Sequence, residues 1–113
     1  MLKNKKLITE KDFRSYKLIY DEQGNLKTNL QLLYALKTWR SRVMKQRKIP
    51  STCIFYNSCL VAFATYYPRT RDEFLRIFGV GKTKWEQFGA AVVKIITTYL
   101  ENKNVGIDEI EPF

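Results

Sequence analysis

Apolar residues recur at helical spacing in several stretches between residues 29 and 100. The first stretch repeats an apolar residue every three or four positions, which predicts one buried stripe on an amphipathic helix. The stripe consists of Leu32, Leu36, Trp39 and Val43. Thr28 and Gln31 have the capping-box spacing and should open this helix. Pro50 should end it, because proline pushes the preceding residue out of helical geometry.

Two shorter helices are predicted after Pro50. Residues 58–67 contain few polar positions, so this second helix is expected to be central and mostly buried, with Asn57 as its cap. Thr70 and Glu73 have the spacing of a second capping box and predict a short third helix. Gly79 is placed to adopt the left-handed conformation that closes it.

A longer last helix is predicted from about residue 82 to residue 100. Gly89 lies inside it at a cost of about 1 kcal/mol relative to alanine, which indicates that another helix approaches closely there. Trp39 and Trp85 are assigned to the core. The fold class expected for residues 29–100 is therefore all-α, a compact bundle of about five short helices.

The flanking segments have a different composition. Residues 1–28 predict either a short strand or hairpin, or an extended linker, and residues 101–113 predict an acidic tail. No apolar run reaches the roughly 18 residues of a membrane span. We therefore expect an intracellular, soluble, monomeric domain that makes no membrane contact. Cys53 and Cys59, in a chain without histidine, predict two buried or half-buried thiols and no metal site.

Positive charge is concentrated in the helical region. Twelve basic and three acidic side chains between residues 29 and 100 give that region a net charge of +9, equal to the +9 of the whole chain. Such an excess favours a polyanionic partner. Asp72, Glu73 and Glu86 are the acids of this region, and they do not form the converging set that acid–base or metal catalysis needs. We expect no enzymatic activity and no cofactor.

The residues Gly81, Lys82 and Thr83 resemble the end of a nucleotide-binding P-loop. A P-loop needs a second glycine five positions before Gly81, and Arg76 stands there. It also needs a preceding strand, whereas the preceding residues predict a helix. An ATPase site is therefore excluded.

The same residues fit a turn between two helices better. Phe78 and Val80 are expected to point inward, while Gly79 and Gly81 allow a tight backbone turn. The last helix then begins with free amide groups, which attract phosphate oxygens. This helix-hairpin-helix-like turn predicts a grip on the nucleic-acid backbone; a purely structural turn is the alternative.

The sequence resembles the HRDC domain found at the C-termini of RecQ-type DNA helicases and of RNase D. The resemblance covers about residues 29–100. It rests on the basic helix that ends in KIP, on the IFYN segment before the second helix, on the PRT link, and on GVGKTKWEQFG. The last motif is more similar to the helicase branch. Ser51 and Thr52 depart from the proline and aromatic residue of many helicase members, and Asn57 replaces the usual aspartate.

The resemblance implies a small helical domain without activity of its own. The predicted function is that of a nucleic-acid-binding accessory domain of a RecQ-like, ATP-dependent DNA helicase in DNA repair and recombination. It would bind single-stranded DNA or DNA junctions, in the nucleoid or cytoplasm, or in a nucleus. Two alternatives remain: a module that docks on a helicase core in cis, and an RNA-binding domain of an RNase D-like nuclease.

The candidate nucleic-acid contacts form three groups. The first is a band on the first helix, Tyr34, Lys37, Lys45 and Lys48. The second is the turn, Gly79, Val80, Gly81, Lys82, Thr83 and Lys84. The third is a set of arginines around the third helix, Arg69, Arg71 and Arg76. Tyr34 and Tyr56 could stack on bases.

Overall fold

A computed structural model describes residues 8–77 and 79–101 of the 113-residue chain. Its α-helices are α1 (Leu30–Arg47), α2 (Asn57–Tyr66), α3 (Arg71–Leu75), α4 (Lys82–Lys84) and α5 (Ala90–Glu101). A π-helical turn, Trp85–Gly89, joins α4 to α5 without a break, and 3-10 turns lie at Glu10–Phe13 and Ser51–Cys53. Within the described residues, β pairing is limited to one antiparallel bridge between Tyr20 and Leu26. The all-α prediction is confirmed.

The predicted stripe of α1 is buried along its whole length, and α1 packs against α2 and α5. The cap of α1 differs from the prediction. Asn29, not Thr28, accepts the hydrogen bond from the Leu32 amide (3.0 Å). The Thr28 hydroxyl instead accepts from the Ile19 amide (3.0 Å) and bonds to the Thr65 hydroxyl (2.8 Å). Thr28 therefore ties the N-terminal segment to α2.

The last turn of α1 ends on Lys48, which has the left-handed conformation at φ 57°. Its amide donates to the Met44 carbonyl, so the helix is closed one residue before Ile49. Pro50 then begins the 3-10 turn Ser51–Cys53. The predicted helix end is correct to within a residue or two, and the chain reverses there toward α2.

Arg40 is buried between α1, α2 and the N-terminal segment, with 6% of its surface exposed. Its guanidinium donates to the Phe55 carbonyl (2.8 Å), the Tyr16 hydroxyl (3.0 Å) and the Asn57 side-chain oxygen (2.8 Å). The prediction that Asn57 caps α2 is wrong, because Asn57 is the first residue of that helix and no side chain caps it there. The Asn57 amide holds Arg40 instead.

Residues 8–28 pack on the helices rather than extending away from them. Phe13 and Tyr16 are buried, 1% and 9% exposed, and their rings meet edge to face at 5.2 Å. Because the Tyr16 hydroxyl also accepts from Arg40, this segment contributes to the core both apolar surface and a hydrogen bond. The sequence predicted either a short strand or hairpin, or an extended linker. The structure has one 3-10 turn and one antiparallel β-bridge in this segment.

Aromatic rings fill the centre of the domain. Phe55 lies at the hub of this cluster, with ring centroids of Phe63 at 5.0 Å and of Phe88 at 5.7 Å. Phe74 of α3 stacks on Phe63 at 5.2 Å. The hydroxyl of Thr70 accepts the Glu73 amide, so the predicted cap of α3 is confirmed. The cluster joins α2, α3 and the last helix into one body.

The glycine inside the last helix is explained by a side chain of the same helix. A β-carbon at Gly89 would lie 2.1 Å from the indole ring of Trp85. The nearest neighbour of Gly89 is thus this ring rather than the other helix that the sequence predicted. Trp85 is half-buried and lies edge to face with Phe74 at 5.2 Å, so it covers the core from outside. The π-helical turn and Gly89 together make room for its ring.

Candidate nucleic-acid interface

The turn between α3 and α4 contains one position that demands glycine. Gly79 has φ 94°, a conformation that other residues adopt rarely, and a β-carbon there would lie 3.2 Å from Cys59 Sγ. Val80 is half-buried against the core, as predicted for its inward orientation. Phe78, predicted to do the same, lies outside the described residues. The predicted turn conformation at Gly79 is confirmed.

Gly81 is the residue that precedes α4, which places the start of the last helix where the sequence predicted it. Its φ is −140°, and a β-carbon there would meet no atom within 4 Å. Among the described residues, no side chain caps this helix start. Lys82 and Thr83 follow it and are exposed. The backbone at Gly81 is therefore open to solvent beside a cation and a hydroxyl.

Lys84 and Arg47 bring the turn and the end of α1 together. The Arg47 guanidinium lies 5.1 Å from the centre of the Phe88 ring, and Lys84 Nζ lies 5.7 Å from it. Lys84 Nζ also donates to the Cys53 carbonyl in the 3-10 turn after α1. Cation–π contacts of this kind keep both charges close to the Phe88 ring. Lys84 of the predicted turn thus lies close to the end of α1, where its neighbour at the Phe88 ring is Arg47, a residue outside the predicted groups.

The predicted band on α1 divides into two parts. Lys45 and Lys48 are exposed in its last turns, next to Arg47. Tyr34 and Lys37 are half-buried, and Lys37 Nζ lies 5.6 Å from the ring centre of Phe13 in the N-terminal segment. At 1.5 Å per residue, Lys37 is about 16 Å along the helix from Lys48. The structure therefore brings only the second half of the band to the turn.

The three predicted arginines surround α3 and are exposed. Arg71 begins the helix, whereas Arg69 and Arg76 line a surface groove of about 760 Å³ between α2, α3 and the end of α5. Among the apolar residues of that groove are Ala62, Pro68 and Leu100. Arg69 and Arg76 thus share a surface that has an apolar floor, unlike the turn.

Among the described residues, no group of three histidine, cysteine, aspartate or glutamate residues is placed to hold a metal ion. Cys59 is buried, as predicted, and burial raises the pKa of its thiol. The prediction of a buried or half-buried thiol is wrong for Cys53, which is exposed in the 3-10 turn after α1. The described helices include none with the length and hydropathy needed to cross a bilayer.

The helical arrangement and the glycine turn agree with a comparison against protein families. The model of the HRDC domain matches residues 29–96, which is more than half of the chain. The chain belongs to the HRDC domain family. This confirms the resemblance deduced from the KIP, IFYN and GVGKTKWEQFG segments.

Relatives of this HRDC chain are much longer helicases. The ATP-dependent DNA helicase RecQ of Pasteurella multocida is 35% identical over 65 residues, covering 58% of this chain and 10% of the relative. The ATP-dependent DNA helicase UvrD2 of Mycobacterium tuberculosis is 32% identical over 66 residues, covering 58% of this chain and 9% of the relative. The chain thus spans about a tenth of the length of the curated relatives it matches.

A solved structure has the same fold. The D. radiodurans RecQ HRDC domain 3 is 30% identical and superposes with a TM-score of 0.61, covering 64% of this chain and 95% of that chain. The family match begins at residue 29. The buried Phe13 and Tyr16 are therefore additions to the matched region.

Sequence reasoning missed two arginines of this HRDC domain. Arg40 was not recognised as buried, and Arg47 was left out of the candidate contacts. A signal existed for Arg47, because it lies in the last turn of α1, four positions after the buried Val43 and beside two predicted contacts. Its position over Phe88 depends on how α1 packs against the last helix, which periodicity does not give.

Proposed function

We propose that this HRDC domain is a non-catalytic accessory domain that grips single-stranded or partly unwound DNA by its phosphate backbone, as part of a RecQ-like helicase. The observation that carries this proposal is the meeting of Arg47 and Lys84 over Phe88, beside the uncapped helix start at Gly81. Two cations near a helix start that no side chain caps suit a phosphate group. Such a domain would act where its helicase meets DNA, in the cytoplasm or nucleoid, or in a nucleus.

The proposed surface extends from the turn along the end of α1. Lys82 and Thr83 would add a charge and a hydroxyl at the turn, and Lys45 and Lys48 would continue the positive surface. These groups contact backbone phosphates in this proposal, so binding should depend little on base sequence. The scarcity of acids supports it, since residues 29–71 contain none.

A single strand is favoured over a duplex by an exposed tyrosine close to this surface. Tyr56 is 57% exposed and lies three residues after Cys53, whose carbonyl accepts from Lys84. Stacking of a base on such a ring contributes about 1–3 kcal/mol. Bases are free to stack in this way only when they are unpaired.

The test is fluorescence anisotropy of a labelled oligothymidine titrated with the full chain at several salt concentrations. The logarithm of the affinity should fall linearly with the logarithm of the salt concentration. Arg47→Ala and Lys82→Ala should each lower the affinity and reduce the slope by about 0.7, the value for one phosphate contact on a single strand. Tyr56→Ala should weaken binding without changing the slope.

Lys17→Ala is the matched control, because it removes an exposed lysine of the N-terminal segment outside the proposed surface. Its affinity should equal that of the unchanged protein. Duplex DNA and RNA serve as competitors, and stronger competition by RNA would favour the nuclease-type alternative. If no oligonucleotide binds at low salt, the proposal is wrong and the surface should be tested against a helicase core.

A further inference from the structure

The groove between α2, α3 and the end of α5 has a more apolar lining than the proposed phosphate-binding surface at the turn and the end of α1. Its lining includes the aliphatic side chains Ala62, Ile77 and Leu100 together with Pro68. A volume of about 760 Å³ is within the usual range of ligand-binding clefts, about 300–1,000 Å³. A floor of this kind is wide enough for the apolar side chains of a ligand.

The charges at the rim of the groove are mainly positive. Arg69 and Arg76 line it and are exposed. The one carboxylate in the lining, Glu73, accepts a hydrogen bond from the Arg69 amide at 2.9 Å and so serves the start of α3. Lys27 lies 5.6 Å from the ring centre of Tyr66, another lining residue, and adds a further cation. The guanidinium groups can pair with carboxylates through two parallel hydrogen bonds.

Of the two tyrosines in the groove, Tyr66 is the more exposed, with 55% of its surface accessible. Lys27 occupies one face of Tyr66. Tyr67 is half-buried, and its hydroxyl accepts from the Asn29 side chain at 3.5 Å. Ala62, Ile77 and Leu100 have no flat π-face at all. The lining therefore suits aliphatic side chains better than nucleobases, even though two arginines are present.

We infer that this groove binds a short acidic peptide segment of a partner protein, with its apolar side chains on the floor and its carboxylates on Arg69 and Arg76. The inference does not depend on nucleic-acid binding at the turn. It assigns Arg69 and Arg76 to a different ligand from the one that the sequence suggested for them. Charge complementarity selects acidic peptides, and the apolar floor selects those that also carry leucine, isoleucine or phenylalanine.

The test is titration of the isotope-labelled full chain with a synthetic peptide of leucine, phenylalanine and glutamate, followed by two-dimensional NMR. The amides of Ala62, Arg76 and Leu100 should shift in a saturable way. A peptide with glutamine in place of glutamate, and one with serine in place of the apolar residues, should each bind at least about tenfold more weakly, since each lacks one half of the recognition.

Ala62→Lys should abolish the shifts by filling the groove. Ala90→Lys is the matched control, because Ala90 is an exposed helical alanine outside the lining, and it should bind the peptide normally. Arg69→Ala with Arg76→Ala should weaken binding by about tenfold or more. Circular dichroism of each variant verifies that it is folded.

Several results would overturn the inference. If oligothymidine shifts the groove amides while the peptide does not, the groove is a nucleic-acid site. Shifts of the groove amides that depend on protein concentration alone would point to a second copy as the occupant. If Ala62→Lys altered the resonances of residues 102–113 without added peptide, the chain's own tail would be the occupant. Equal binding to Ala62→Lys and Ala90→Lys would place the peptide elsewhere.

Discussion

Arg40 and Arg47 are two turns apart on α1, yet their surroundings are opposite. Arg40 is 6% exposed and donates to three oxygen acceptors from different parts of the chain. Arg47 is exposed, and its guanidinium lies over the Phe88 ring at 5.1 Å. A buried guanidinium that already donates three hydrogen bonds has little capacity left for a ligand, whereas an exposed one on an aromatic ring keeps its donors for a phosphate. The basic residues of a helix therefore indicate a binding surface only when the buried ones, such as Arg40, are left out of the count.

The largest effect should come from removing the buried arginine. Arg40→Ala leaves the Phe55 carbonyl and the Asn57 side chain without their donor and opens space between α1 and the N-terminal segment. We expect a loss of about 3 kcal/mol in the free energy of unfolding, measured by urea denaturation. Arg47→Ala, the control at the other end of the comparison, should lose less than about 1 kcal/mol. Equal losses in the two variants would contradict the distinction.

The next largest effect should come from Gly89, whose backbone packs against the Trp85 ring close to the turn between α3 and α4. Gly89→Ala would place a methyl group inside the Trp85 ring, so the indole must move off the core. Overpacking of this kind costs about 1–3 kcal/mol. We expect a loss in that range by urea denaturation, with a change in the tryptophan emission of Trp85.

Gly81→Ala is the matched control for this glycine. No atom lies within 4 Å of a β-carbon at Gly81, and its φ of −140° suits any residue. Its loss should stay below about 1 kcal/mol, the ordinary cost of alanine at a helix cap. A larger loss for Gly81→Ala than for Gly89→Ala would show that the indole does not determine the need for glycine.

The sequence predicted the elements that depend on local rules. The stripe of α1, the Thr70 cap and the left-handed Gly79 follow from periodicity, hydroxyl capping and the lack of a β-carbon. These rules act within a few residues, so they can be read without knowing the fold. The arrangement of the helices as one small domain was predicted from the resemblance to the HRDC family, which rests on the KIP, IFYN, PRT and GVGKTKWEQFG segments.

The errors occurred where a residue's partner is distant in the sequence. Asn57 and Thr28 have the side chains of caps, but tertiary partners, Arg40 and Thr65, engage them instead. Gly89 has a packing reason, yet the sequence could not show that the partner is Trp85 in a π-helical turn. Of the candidate site, the turn was located from sequence, whereas the link through Arg47 required the packing of α1 on the last helix.

A smaller effect should come from the N-terminal partner of Arg40. Tyr16→Phe keeps the ring that packs on Phe13 and removes the hydroxyl that accepts from the guanidinium. The expected loss in the free energy of unfolding is about 1.5 kcal/mol, the lower end of the range for one hydrogen bond to a charged group. Tyr56→Phe alters a ring that is 57% exposed and should change stability by less than about 0.5 kcal/mol. A neutral Tyr16→Phe would show that the N-terminal segment is held by apolar contact alone.

The smallest expected effect is a change in how fast the two cysteines are chemically modified. Their modification rates report whether Arg40 and Arg47 differ in how strongly they support the core. Cys53 is exposed and should react with iodoacetamide in the folded protein. Cys59 should remain unmodified, because it is buried and its pKa is raised by burial more than the nearby Lys84 and Arg40 charges lower it. Mass spectrometry should find one modification in the native chain and two in urea.

Arg47→Ala should keep Cys59 protected, whereas Arg40→Ala should increase its rate of modification, since a destabilised core opens more often. Protection of Cys59 that is lost equally in both variants would mean that the end of α1 supports the core as much as its middle does.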